Sequence, residues 1–217
     1  MGVISAFLDI LFPPRCVFCR KFLHGSEKLF CAACEKTLPY TSGGGEKTGD
    51  FFSVCVAPLY YEDNVRESIL RFKFKGATAY SQAYGRLLAD CIRENLSGRY
   101  DLISWVPLSS KRLAERGYDQ SMLLAMAAAL ELDDVAVSTL EKVKDVEKQS
   151  LVGPAEKRRA NISGAYRPAD PELVVGNRIL LIDDIVTTGS TLSECARTLL
   201  DAGAAEVLCA VVARVRD

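Results

Sequence analysis

Four consecutive apolar residues, Ile179-Leu180-Leu181-Ile182, run straight into two carboxylates, Asp183-Asp184, and on through Ile185-Val186 to Thr187-Thr188-Gly189-Ser190-Thr191. A run that is apolar at every position suits a strand buried on both faces, as parallel strands between helix layers are. The turn leads into a helical stretch over 190–202 closed by Gly203, so the unit is strand, turn, helix. Gly189 lets backbone N–H groups converge on one point, and the helix start adds the positive end of its dipole. A phosphate monoester fits such a turn, with the Thr and Ser hydroxyls as further donors. Asp183 and Asp184 would repel that phosphate, so their expected partners are sugar hydroxyls and, directly or through water, Mg²⁺. One loop thus suits both ends of a 5-phosphorylated ribose. Carboxylates and hydroxyls that merely cap a helix would account for one acid and one hydroxyl, not for the whole run.

The rest of the main body alternates in the same way from about residue 51. Val54 to Tyr61 read as a strand, and Val65 to Phe74 as a helix with Ile69, Leu70 and Phe72 inward. Residues 80–95 form another helix, Leu102 to Val106 a short apolar strand, and a Leu-, Met- and Ala-rich helix follows Asp119. Val207 to Val212 are a final strand. Such alternation predicts a parallel α/β sheet covered on both faces, with ligands at the carboxyl ends of its strands.

Ahead of this body, Cys16-Val-Phe-Cys19 and Cys31-Ala-Ala-Cys34 form two knuckles eleven residues apart. Each C-x-x-C turn puts two sulfurs on one side of a loop, and two such turns complete a tetrahedron for structural Zn²⁺, with no position left for substrate. His24 lies between them and is read as part of a turn with Gly25. Cys55, Cys91, Cys195 and Cys209 stand singly among apolar residues and read as buried thiols. Residues 1–45 are therefore expected to be a zinc module preceded by a short amphipathic helix (Val3, Ile4, Phe7, Leu8, Leu11) that ends at Pro13-Pro14. Gly43-Gly44-Gly45 reads as a flexible connection to a main domain over 51–217.

Hydrophobic residues are 49% and charged residues 25% of the 217, with a net charge of −1. That near-neutral balance gives no whole-molecule reason to expect nucleic acid. The apolar run over 3–12 lacks a basic flank, is interrupted by Asp9, and is far short of the ~20 residues that span a bilayer. A reducing cytoplasm, where paired cysteines hold metal rather than disulfides, is the expected setting.

The 179–192 segment resembles the phosphoribosyl pyrophosphate (PRPP) signature of type I phosphoribosyltransferases. Three other stretches narrow the resemblance to the ComF family of competence-associated proteins: Pro107-Leu108-Ser-Ser-Lys111-Arg112 through Arg116-Gly117-Tyr118-Asp119-Gln120; Gln149-Ser-Leu with Arg158 and Asn161-Ile-Ser-Gly164-Ala-Tyr166; and the two knuckles. Asp119 stands where that family commonly has Asn, and Tyr166 where Phe is common. The resemblance implies a type I phosphoribosyltransferase fold that transfers ribose 5-phosphate from PRPP to an acceptor, releasing pyrophosphate with the help of Mg²⁺. It implies PRPP contacts at Asp183, Asp184, Thr187, Thr188, Gly189, Ser190 and Thr191, and at Pro107, Leu108, Lys111 and Arg116. Asp183, Asp184 and Arg158 carry the catalytic expectation, Arg158 from a loop that closes over PRPP. The alternative is a non-catalytic PRPP- and single-stranded-DNA-binding factor, or a partner of competence machinery. Phe72, Phe74 and Tyr118, close to cations, would then be the stacking candidates.

Overall fold

The computed structural model describes residues 13–25, 27–144 and 164–216. The expected helix over 3–12, and Gln149, Arg158 and Asn161, lie outside them. Helix α1 (Ala32–Thr37) carries the second knuckle, and a 3-10 turn (Gly43–Gly45) leads to strands β1 (Cys55–Val56) and β2 (Leu59–Tyr60). Helices α2 (Asp63–Phe74) and α3 (Tyr80–Leu96) follow, then β3 (Leu102–Trp105), α4 (Ser110–Arg116) and α5 (Gln120–Glu131). A ribbon of β4 (Leu140–Lys142) and β5 (Tyr166–Pro168), the short α6 (Pro171–Val174), then β6 (Arg178–Val186), α7 (Ser190–Asp201) and β7 (Glu206–Arg214) complete the chain.

The main sheet is parallel in the order β1-β7-β6-β3, with β2 also on β7. The stretch expected as one strand over Val54–Tyr61 breaks at Ala57-Pro58. Proline has no N–H for the ladder, so β1 pairs beside Cys209–Ala210 and β2 beside Ala213–Arg214. Along the central strands alternate residues enter two separate cores. Leu180, Ile182, Leu208, Ala210 and Val212 meet α2, α3 and α5 on one face. Ile179, Leu181, Val207, Cys209 and Val211 meet α7 on the other. Ile69 and Phe72 of α2 are buried as expected, whereas Leu70 stays half-exposed.

Two expectations change. Gly43–Gly45 is a fixed turn: the Gly44 carbonyl accepts from Ala57 N at 2.8 Å and the Gly45 carbonyl from Arg214. All three glycines have positive φ, and a Cβ on Gly44 would lie 2.6 Å from the Asn95 side chain of α3. Nor is the four-cysteine region separate from the main body. Cys16, Val17, Phe18, Leu23, Cys31 and Cys34 belong to the same core as α2 and α3. Phe18 is 1% exposed and packs edge-on against Tyr84 of α3 and Phe30.

Helices α3 and α5 pack tightly at Gly85, where a Cβ would meet the Cβ of Ala127 on α5 at 2.5 Å and its backbone carbon at 2.7 Å. Gly85→Ala should therefore lower stability by on the order of 1–3 kcal/mol, although alanine is favoured by about 1 kcal/mol within a helix. Urea denaturation yielding equal or greater stability for the variant would contradict this crossing.

Candidate functional site

The site lies where β6 ends. Strand alternation turns successive side chains to opposite faces, so Asp183 and Asp184 have different surroundings. Asp184 faces the α2 layer and forms an ion pair with Lys73 at 2.8 Å, in which the two side chains are 11% and 19% exposed. Burial would lower the Lys73 pKa, but the Asp184 charge and hydrogen bond outweigh it and the net shift is upward. Asp183 accepts hydrogen bonds from Ser121 Oγ at the start of α5 and from the backbone N–H of Asp184, both at 2.8 Å. Loss of water around it, reinforced by the Asp184 charge, pushes its carboxyl up to about 7.

The turn after β6 is built as its composition suggests. Gly189 takes φ +80° at the N-cap of α7, a left-handed conformation suited to glycine. Its carbonyl accepts from Ser193 N at 2.8 Å. Thr187 and Thr188 are exposed, Ser190 and Thr191 partly so, and the Thr188 and Ser190 hydroxyls lie 2.9 Å apart. The first amides of α7 have no intrahelical acceptors, so the turn offers N–H groups and hydroxyls to one small anion. The ring of Phe52 packs beneath it, 3.5 Å from where a Gly189 Cβ would be.

The Pro107–Gln120 block follows β3. Pro107 is buried, and Leu108 N donates to Asp119, whose other carboxylate oxygen caps α5 by accepting from Met122 N. Asp119 thus holds the loop rather than facing a ligand. Lys111 is exposed on α4. Arg116 bonds Gln120 at 2.6 Å and lies 4.9 Å over the ring of Phe74, which joins the block to the end of α2. Tyr166, on β5, is buried with the Lys142 ammonium 5.1 Å over its ring, and burial pushes its hydroxyl far up.

Lys73 and Ser121 were not singled out from sequence. Lys73 sits between Arg71 and Lys75 in a basic helix end, and only the fold distinguishes the lysine that reaches Asp184. Phe72, a stacking candidate in the DNA reading, is fully buried, and Tyr118 is half-buried with its hydroxyl donating to the Phe72 carbonyl. Phe74, 58% exposed, is open to solvent.

The Sγ atoms of Cys16, Cys19, Cys31 and Cys34 lie within 4.8 Å of one another, with Cys19 and Cys31 3.7 Å apart. Four sulfurs at about 2.3 Å from Zn²⁺ would be roughly 3.8 Å apart in a tetrahedron, so the donor set fits zinc. His24 is exposed, and its N–H bonds Glu27 in the intervening turn.

Comparison with known proteins agrees with this arrangement. Residues 119–217 match the family model of the phosphoribosyl transferase domain, and residues 7–50 that of the double zinc ribbon domain. Competence protein F of Haemophilus influenzae is 28% identical over 215 residues, covering 89% of this chain and 93% of that protein. The chain belongs to the ComF family. Competence protein ComFC of Bacillus subtilis is 32% identical, covering 67% of this chain and 57% of its own. The DNA utilization protein YhgH of Salmonella typhi is 36% identical, covering 63% and 61%. The match spans less than two thirds of the length of these last two proteins. The fold is the α/β phosphoribosyltransferase type, with a four-cysteine ribbon at its N-terminal side.

Two predictions follow from these charges and sulfurs. Because Asp183 titrates near 7 when folded and near 3.8 otherwise, the native state keeps a proton that the unfolded chain has lost between those values. Its contribution to stability then falls as pH rises through that window. Asp183→Asn should raise the melting temperature of the ligand-free protein at pH 8, by about 4 °C or more, and change it little at pH 4; no rise at pH 8 would contradict the burial argument. Elemental analysis of protein purified without chelator should find about one zinc per chain, lost in Cys31→Ser. Zinc-free wild type would refute the ribbon.

Proposed function

We propose that the chain binds PRPP at the β6–α7 turn and transfers its ribose 5-phosphate to an acceptor nucleophile, releasing pyrophosphate. The observation that carries this reading is the turn itself. Two strand-end carboxylates stand beside a left-handed Gly189 and four hydroxyl side chains at a helix start. In this proposal Thr187, Thr188, Gly189, Ser190 and Thr191 hold the 5-phosphate, and Asp183 and Asp184 hold the ribose hydroxyls. Pro107, Leu108, Lys111 and Arg116 face the pyrophosphate, with Arg158 as a further cationic group. Residues 1–45 serve as the zinc ribbon and 51–217 as the transferase body.

As the glycosidic bond breaks, the sugar gains oxocarbenium character and the leaving pyrophosphate gains negative charge. Backbone N–H groups and cations fixed around that charge lower the barrier, because they need no reorganisation as it develops. The fit to Mg²⁺ rests on charge: two carboxylates, Asp183 and Asp184, have one ammonium, Lys73, in hydrogen-bonding range among the described residues. Bound there, Mg²⁺ would neutralise the pyrophosphate oxygens. Lys73 aims Asp184 through their ion pair, and Ser121 orients Asp183. We place this activity in a reducing cytoplasm, as the metal-holding thiols suggest.

A second reading, single-stranded DNA binding, is favoured by one surface. Exposed Arg15, Arg20 and Lys21 surround exposed Phe22 on the first knuckle, with the Arg15 guanidinium 4.0 Å over that ring. Cations beside an open aromatic suit a strand of nucleotides. DNA affinity that falls steeply with salt and drops in Phe22→Ala would support it.

The principal test is calorimetry with PRPP and Mg²⁺. Wild type should bind. Asp184→Ala should lose at least tenfold in affinity, since it removes a ribose contact and strands Lys73. Gly189→Val should bind no ligand, because φ +80° is strained for a β-branched residue. Wild type giving no heat would end the PRPP reading, and Asp184→Ala binding as tightly as wild type would end the role given to that residue.

A further inference from the structure

Helix α2 touches both the first zinc knuckle and the strand-end carboxylates, and it does so with side chains two residues apart. Arg71 Nη2 donates to the carbonyls of Val17 at 3.0 Å and Phe18 at 2.8 Å. Ser68 Oγ donates to the same Val17 carbonyl at 2.6 Å. Since its one proton is committed there, the Tyr84 hydroxyl, 2.5 Å away, must donate to Ser68. One residue past the fully buried Phe72, Lys73 pairs with Asp184. The Phe72 carbonyl accepts from Tyr118, so the last turn of α2 is tied on three sides.

The two carbonyls held by Arg71 belong to particular peptides. The amide on the other side of the Val17 carbonyl is Phe18 N–H, and that of the Phe18 carbonyl is Cys19 N–H. Both peptides lie inside the Cys16-Val-Phe-Cys19 turn, between the two sulfurs of the first knuckle. A guanidinium on a peptide oxygen polarises the peptide and strengthens the hydrogen bond its N–H makes. Arg71 and Ser68 therefore orient a zinc ligand from outside the coordination sphere, as outer partners of metal ligands do. The arrangement is costly for a purely structural contact, because Arg71 Nε is buried with no acceptor among the described residues.

We propose that Arg71 is a positioning residue joining the two sites, so that the zinc knuckle, through α2, sets Lys73 against Asp184. Loss of knuckle order loosens the ion pair, and loss of the ion pair loosens the knuckle. Coupling between two binding sites is reciprocal, and a rigid helix carrying both sets of contacts in its last two turns transmits it without a change of fold. The consequence for PRPP rests on the function proposed above, but the coupling of Arg71, Lys73 and the knuckle does not.

Zinc release to a chromogenic chelator tests it on the full-length zinc-loaded protein. Lys73→Met, which alters no residue of the knuckle, should release zinc several-fold faster than wild type. Arg71→Met should also release faster, and Arg71→Met/Lys73→Met no faster than Arg71→Met alone, because the connection is already cut. Arg71→Lys, able to reach one carbonyl, should fall between. Should Arg71→Met fail to retain zinc, Ser68→Ala takes its place in the same cycle. Unchanged release in Lys73→Met, or rates that multiply independently in the double variant, would overturn the coupling. In parallel calorimetry, Arg71→Met should bind PRPP with Mg²⁺ several-fold more weakly than wild type, and equal affinity would overturn the coupling. Wild type that binds no PRPP defeats the function proposed above, while the release rates still decide the role of Arg71.

Discussion

Alternation along β6 and β7 commits the chain to two helix layers, because neither face of these strands can be left in water. Leu180 and Ile182 beside Leu208, Ala210 and Val212 require α2, α3 and α5; Ile179 and Leu181 beside Val207, Cys209 and Val211 require α7. Burying each of these Leu, Ile and Val side chains contributes roughly 1.5–3 kcal/mol. The same period of two then acts where the apolar residues stop. It delivers Asp184 to the α2 side, where Lys73 neutralises it, and leaves Asp183 with Ser121. Adjacent carboxylates thus come to have different charge environments without any special backbone geometry.

Where the residue itself fixes the backbone, the fold was legible in the sequence. Continuous apolar runs located β6 and β7, and Asp119 and Gly189 occupy the helix starts their chemistry favours, whereas reading Val54–Tyr61 as one strand overlooks the division of β1 from β2 at the proline after Ala57. The four-cysteine cluster was legible for a similar reason, since each C-x-x-C spacing brings its own pair of sulfurs together. Lys73 was not, because a lysine in a basic helix end is distinguished only by what long-range packing puts opposite it. Composition misled at Gly43–Gly45: three glycines suggest a flexible link, but here each adopts positive φ in a turn packed against Asn95 and Ala57. Phe72 was read correctly as an inward residue of α2. Only the DNA alternative, which named it for stacking beside cations, loses it, because the period of α2 turns the ring fully inward.

The four-cysteine ribbon and the phosphoribosyltransferase-type body share a core. Sequence suggests two units joined by a link, and the contacts make them one packed body. Phe18 inserts between Phe30 and Tyr84, and Tyr84 in turn packs on Phe72. Truncating a phenylalanine so deeply buried typically costs about 3–5 kcal/mol. Zinc held by the four cysteines would close the knuckle that presents Phe18, and so would fix a side chain of the main core as well as its own loop.

The strand-end charges fit a site built for a ligand better than one built for stability. An isolated structural ion pair would need one carboxylate for Lys73, yet a second stands next to it and its ionised form is disfavoured by burial. Replacing a buried ion pair with apolar residues is often neutral or favourable, so stability alone does not explain Asp183 and Asp184 at the end of an otherwise apolar strand. A cation or hydroxyl-bearing ligand does. It would add to Asp183 the positive or donating partner that Ser121 and one backbone N–H do not fully supply, and would relieve the repulsion between the two neighbouring carboxylates.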